Sequence, residues 1–306
     1  MRATILSLSM LSAAVVCADC GSIPFNRFVK LFEPTQRALI AWNGEEEILV
    51  YTTDLYASEP TKVLEVMPLP SEPAITNGDK TIFNRATDLI NTIRINQVNN
   101  GFDIFSESSP EPARPVARVT FHDQIGAHDI SVIEALSGER FAAWVNKYLT
   151  SMNVSNPQIP APLQKVVEEY IADGYAWFAF DVVSLSNTPG SKEAIQLRFK
   201  TPALYYPLRI TRVEQGQTSV ELLILTDKLV KTAMCLGIPR ARIKLRHTPV
   251  TLDAAQLYSL SPELHAFMSP PKTPSLRIWH INGRLDSFDK DLLIGPAATT
   301  NHVVAR

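Results

Sequence analysis

Proline limits where regular structure in this chain can be continuous. Clusters at Pro68, Pro70 and Pro73, at Pro110, Pro112 and Pro115, at Pro157, Pro160 and Pro162, and at Pro270, Pro271 and Pro274 divide it into segments. A proline lacks the ladder donor and restricts its predecessor, so strands and helices end at such clusters. Strand signals dominate the first segment. Arg37 to Trp42 and Glu47 to Tyr51 flank Asn43-Gly44, and Asn-Gly supplies the two positive-φ residues of a type I′ hairpin turn. Lys62 to Met67 adds a third strand to that meander.

Helical periodicity is confined to three stretches. Thr81 to Ile93 has apolar residues at Ile82, Phe83, Ala86, Leu89, Ile90 and Ile93, the spacing of one helix face. Glu139 to Met152 and Ala161 to Ala172 read as amphipathic helices packed on a sheet. Asn100 to Ala113 reads as a loop, and Val116 to Phe121 and Asp129 to Ala135 as strands. From Tyr175 the strand pattern returns, at Ala176 to Leu185, Ile195 to Lys200, Tyr205 to Val213, Val220 to Thr226, Arg242 to Arg246 and Leu276 to Ile281. Connections this short form hairpins and exclude the helical crossovers of a parallel sheet. The expected class is α+β, with mainly antiparallel sheets in meanders and hairpins and a few amphipathic helices packed on them.

The N-terminus reads as an export signal. Arg2 precedes an apolar run from Ile5 to Val16, and Val16-Cys17-Ala18 forms a cleavage site before Asp19. The run is shorter than the ~20 residues of a spanning helix. A lipid anchor on Cys17 or Cys20 is the competing reading, but Val16 and Asp19 replace the small residue that normally precedes an acylated cysteine. Loss of residues 1–18 removes one of the 29 basic residues and none of the 31 acidic ones, leaving a net charge of −3. The expected product is periplasmic or extracellular, without a transmembrane anchor. No basic excess points to nucleic acid as a partner. Residues 19–115 read as a strand-rich subdomain continuous with an α+β subdomain at 116–306. Cys20 and Cys235 survive cleavage, and in an oxidising compartment they either close one disulfide or remain two small buried thiols.

Several segments in order resemble a family of secreted bacterial proteins defined by a domain of unknown function (DUF2330-like). They are Cys20-Gly21, Gln36 to Ile40, Val66 to Pro70, Ile125-Gly126 with Ile130 to Ala135, the helix around Trp144, Tyr170-Ile171 with Gly174 and Phe178, and Tyr206 to Thr211. The chain departs from that pattern at Ser22, where a glycine is expected, and at Glu65, where an aromatic is expected. The resemblance implies the compartment and the architecture. It implies no activity.

Among candidate sites, His122, Asp123, His128 and Asp129 form two His-Asp pairs suited to a metal such as zinc, with His280 or another residue to complete the set. The plain alternative is a polar hairpin tip. Arg240, Arg242, Lys244 and Arg246 alternate with Ala241, Ile243 and Leu245, so a strand would carry four cations on one face. That stripe suits an anionic surface or acidic partner, and it equally suits protection of a sheet edge.

Other chemistry is absent from the pattern. The closest glycines are twelve residues apart, which excludes glycine-rich nucleotide loops and leaves no cofactor expected. Ser269-Pro270-Pro271-Lys272 cannot open a catalytic helix. Glu168 and Glu169 point different ways, and Asp286, Asp289 and Asp291 lack calcium-loop spacing, so these acids read as solvated. The expectation is a non-enzymatic binding or assembly module with a protein or envelope partner. The alternative is a metal-assisted hydrolase using the His-Asp pairs.

Overall fold

The structure is a computed structural model, which describes residues 21–99, 122–125, 128–268 and 273–295, apart from 27, 33–34, 156, 189–192 and 215. In chain order it holds β1 (Gly21–Pro24), β2 (Leu31–Phe32), β3 (Gln36–Trp42), β4 (Glu46–Thr53), β5 (Tyr56–Ala57), β6 (Thr61–Leu69), β7 (Ala74–Gly78) and helix α1 (Ile82–Asn99). Next come β8 (His122–Ile125), β9 (His128–Glu134), α2 (Gly138–Ser151), α3 (Ala161–Ala172), β10 (Trp177–Leu185), β11 (Ala194–Lys200) and β12 (Leu204–Tyr206). The last part holds β13 (Gln217–Thr226), β14 (Cys235–Leu236), β15 (Ile243–Thr251), α4 (Ala254–Leu260), α5 (Pro262–Met268), β16 (Ser275–Arg284) and β17 (Leu292–Ile294).

Two large sheets carry the molecule. One runs β1-β6-β10-β9-β8 and the other β15-β16-β13-β3-β4-β11-β7, with a smaller β12-β17-β14 sheet beside them. Among the described strands the pairing is antiparallel except between β3 and β13. The class is α+β, as the sequence implies. Each large sheet mixes strands from both sides of residue 115, so the two halves of the chain share their cores.

Alternation along the strands builds four layers, because successive side chains point to opposite faces. Met67, Ile130 and Ala179 of the first sheet meet Ile40, Leu49 and Leu197 of the second in a core between the sheets. On the outer face of the first sheet, Phe178 and Phe180 pack under α2 and α3 with Phe141 and Tyr170. On the outer face of the second, Leu39, Val50 and Leu223 pack under α1, α4 and α5.

Local sequence explains most boundaries. Ser137 caps α2 by accepting the Arg140 N–H at 3.2 Å, and Asp253 and Gln256 form a capping box at α4. The β3–β4 hairpin forms where Asn43-Gly44 places it, but only Gly44 has positive φ. Asn43 Oδ1 instead accepts the Glu45 and Glu46 N–H groups at 3.0 and 2.9 Å, widening the loop between paired Trp42 and Glu47.

Two expected strands differ. Tyr205 to Val213 stops as a strand at Tyr206, and Arg209–Val213 is a 3-10 turn. Pro207 cannot donate to a ladder, which ends the pairing with β17. Arg242 to Arg246 begins late, since Arg240–Arg242 is a 3-10 turn entered from Pro239 and β15 starts at Ile243. Val116 to Phe121, the Asn100 to Ala113 loop and the export signal lie outside the described residues.

Asp291 locks the 3-10 turn to the helices. Its carboxylate, 5% exposed, accepts the Tyr170 hydroxyl at 2.6 Å and the Leu208 and Arg209 N–H groups at 3.0 and 2.8 Å. Arg209 stacks 3.9 Å over the Tyr170 ring and pairs with Asp173. The reading of Asp291 as a solvated acid is therefore corrected: three donors compensate its burial. Among the described residues no helix is long and apolar enough to cross a membrane.

Candidate functional site

The basic strand is the edge of the seven-stranded sheet, and only half of the expected stripe lies on it. Arg240 is exposed on the 3-10 turn. Arg242 turns inward, donating to the Ser287 carbonyl at 3.0 Å and stacking over Phe288. Lys244 and Arg246 remain on β15. The single face of four cations is corrected to two, because a 3-10 turn breaks the alternation that would align them.

The sheet supplies replacements from other strands. Register sets Lys244 opposite His280, His280 opposite Glu221 and Glu221 opposite Arg37, a row across four strands. Glu221 is the hub. Arg246 reaches its Oε2 at 2.7 Å, His280 Nε2 the same oxygen at 2.9 Å, and Arg37 its Oε1 at 3.8 Å. About half of the Arg37 and Arg246 side chains stays exposed, at 53% and 48%.

A bulge brings α1 into the same face. β15 loses register between Arg246 and Val250, and His247 takes the left-handed conformation there, φ 68°. Its Nδ1 accepts from Arg94 Nη1 at 2.9 Å. A guanidinium only donates, so this imidazole is held neutral with its proton on Nε2. Burial and the charges of Arg246 and Arg94 keep the His247 pKa below its ordinary value. Glu221 thus takes Arg37, Arg246 and His280, while Arg94 contacts His247 and Lys244 lies opposite His280, so cations outnumber the carboxylate among these residues. Arg37 and Arg94 were missed from sequence because only register and helix packing bring them to β15.

The His-Asp pairs do not converge. His128 and Asp129 are neighbours on β9 and so point to opposite faces. His128, 4% exposed, faces the space between the sheets, where Nδ1 bonds Asp181 and Nε2 meets the Glu193 carbonyl at 3.2 Å. Glu65, the departure from the family pattern, lies directly opposite Asp181 on β6. Asp129 lies on the other face toward Tyr148, whose hydroxyl is pushed up to about 12 by burial and by that carboxylate. Backbone register puts position 122 opposite Ser131 and position 123 opposite Ile130. Among the described residues no group of three or more His, Cys, Asp or Glu side chains could hold a metal ion.

The remaining sequence candidates are structural or undescribed. Glu169 pairs with Arg212, and Glu168 accepts from Gln164 at 3.1 Å. Asp286 pairs with Arg284. Ser269 and Lys272 lie outside the described residues, as does Cys20. Cys235 is half-buried, has no disulfide partner among the described residues, and its thiol pKa is raised by burial.

Fold and site together define a four-layer α+β protein with a cationic face at one sheet edge. The chain belongs to the family described as uncharacterized protein conserved in bacteria (DUF2330), which matches residues 13–267. No curated protein matches it. Among solved structures it is similar to baculovirus P35, at 8% identity and a TM-score of 0.40 over 87% of this chain and 98% of that one. It is also similar to a mutated baculovirus P35 after caspase cleavage, at 11% identity and a TM-score of 0.36 over 86% and 94% of the two chains.

Proposed function

We propose that this protein is an exported, non-enzymatic binding module that holds an anionic partner of the bacterial envelope on its cationic face. The observation that carries the reading is the pairing of Arg37 and Arg246 with Glu221, both half in solvent, with Arg94 beside them on His247. Export rests on the charged start, short apolar run and small-residue cleavage site of residues 1–18. The metal-assisted hydrolase lacks comparable support, since both ring nitrogens of His128 are engaged by protein oxygens.

The experiment is binding of the mature protein to phosphatidylglycerol vesicles and to an acidic polysaccharide, with and without Arg37→Glu, Lys244→Glu and Arg246→Glu together. The expected result is salt-sensitive binding to one probe that falls at least about tenfold in the variant, the equivalent of losing ~1.4 kcal/mol. Binding that survives charge reversal overturns the reading. A second reading has its own observation: among the described strands β15 is a sheet edge, and it carries Lys244, Arg246, a bulge and Pro249, the features that prevent edge-to-edge pairing. It predicts that neutralising Lys244 and Arg246 causes self-association while vesicle and polysaccharide binding stay absent throughout.

A further inference from the structure

We propose that the cleft formed by Arg209, Lys290, Tyr175 and Leu236 binds a small carboxylate attached to an apolar group, at a site separate from the cationic face. The cleft has a volume of about 470 Å³, within the roughly 300–1,000 Å³ of small-molecule pockets. Its apolar lining is Tyr175, Leu293 and Leu236, the last 46% exposed. Its charged lining is Arg209, Lys290, Asp173 and Asp291.

The chemistry follows from which hydrogen bonds the protein already makes. The acids are supplied with donors, as Asp291 Oδ1 takes three hydrogen bonds and Asp173 takes the Arg209 guanidinium. The bases are short of acceptors. Arg209 Nε is buried without a hydrogen-bond partner, and the nearest Asp291 oxygen, Oδ2, stands 3.9 Å away. Lys290 is exposed on the rim with no ion pair among the described residues. A buried donor left unpaired costs free energy that an incoming acceptor recovers. The ligand must therefore bring acceptors to two cations and apolar surface to Tyr175 and Leu236, which describes a carboxylate with an aliphatic or aromatic neighbour.

The Gly237 part of the lining is fixed by its backbone. Gly237 has φ +91°, and a Cβ there would collide with the Asp291 carbonyl and the Lys290 side chain. The turn after β14 is thus pressed onto the segment that carries both Lys290 and Asp291, which holds these parts of the lining in register. Tyr170 stacks under the Arg209 guanidinium and restricts its rotation, so the site is formed before any ligand arrives.

The test titrates the full mature protein with N-acetyl-leucine, N-acetyl-leucinamide and a peptide ending in leucine with a free C-terminus, followed by calorimetry and by Leu236 methyl shifts. Saturable binding of the acid, about tenfold weaker for the amide, is expected. Tighter binding of the peptide than of N-acetyl-leucine identifies a chain terminus as the source of the carboxylate; the reverse identifies a free acid. Lys290→Ala and Leu236→Asp, both at exposed positions that leave the core intact, should each weaken binding at least about threefold. The triple charge reversal on the cationic face should leave it unchanged, which separates this site from the proposed function. Equal binding of acid and amide, no saturation, or indifference to both rim variants overturns the proposal.

Discussion

His128 on β9 bonds Asp181 on β10 in the space between the two large sheets, and both residues are at most 5% exposed. The other ring nitrogen meets the Glu193 carbonyl just before β11, so one imidazole joins the two sheets. A carbonyl can only accept, which places a proton on Nε2, and the bond to Asp181 requires a second proton between Nδ1 and the carboxylate. The pair is neutral as a unit on whichever side of that bond the proton sits.

Removing the imidazole takes its hydrogen bond from a buried carboxylate. His128→Ala should therefore cost about 3 kcal/mol in urea unfolding with an unchanged m-value, the scale for breaking a buried pair. A loss below about 1 kcal/mol would mean that the pair contributes no more than an exposed one.

Stability should fall as pH rises from acid to neutral. Burial raises the Glu47 pKa well above the ordinary value, lifts Glu214 to about 7, and raises Asp291. The unfolded Glu214 carboxyl releases its proton near 4.5, so between that pH and about 7 the folded state holds a proton that the unfolded state has lost. Stability then declines with pH across this window, by about 3 kcal/mol for Glu214 alone. Unfolding midpoints at pH 5 and pH 8 should differ in that direction, and Glu214→Gln should narrow the difference.

Two glycines with positive φ should respond unequally to alanine. At Gly44, φ +106°, an added Cβ meets nothing within 4 Å, so Gly44→Ala should cost only backbone strain of about 1 kcal/mol. At Gly237 the same strain is joined by collision with backbone, and a cost above about 3 kcal/mol is expected. Equal thermal shifts in the two variants would contradict the close approach of Gly237 to Asp291.

On the cationic face, binding and stability should separate. Arg246→Ala breaks an exposed pair with Glu221 and should change stability by less than about 1 kcal/mol. Anion binding, if centred there, should weaken in the same variant and lose part of its salt dependence. A large drop in melting temperature with intact binding would assign Arg246 to the fold.

Local pattern was enough to place the β3–β4 hairpin, α2, α3 and β10, because periodicity and proline act within a few residues. It placed the α+β class for the same reason. It also misread Tyr205 to Val213, where strand-like composition outweighed the single missing donor of Pro207.

Side-chain roles required the tertiary structure. Spacing groups His128 with His122 and Asp123, yet its partner is Asp181, 53 residues away. Spacing also suggests a solvated Asp291, yet it anchors Tyr170 from 121 residues away. Whether an ionisable group is charged, neutral or available to a ligand depends on what the sheet register and helix packing bring against it. Local spacing is enough to say where strands and helices run and which faces are apolar; the packing of two sheets sets which polar groups are buried together, since long-range pairing leaves no trace in that spacing.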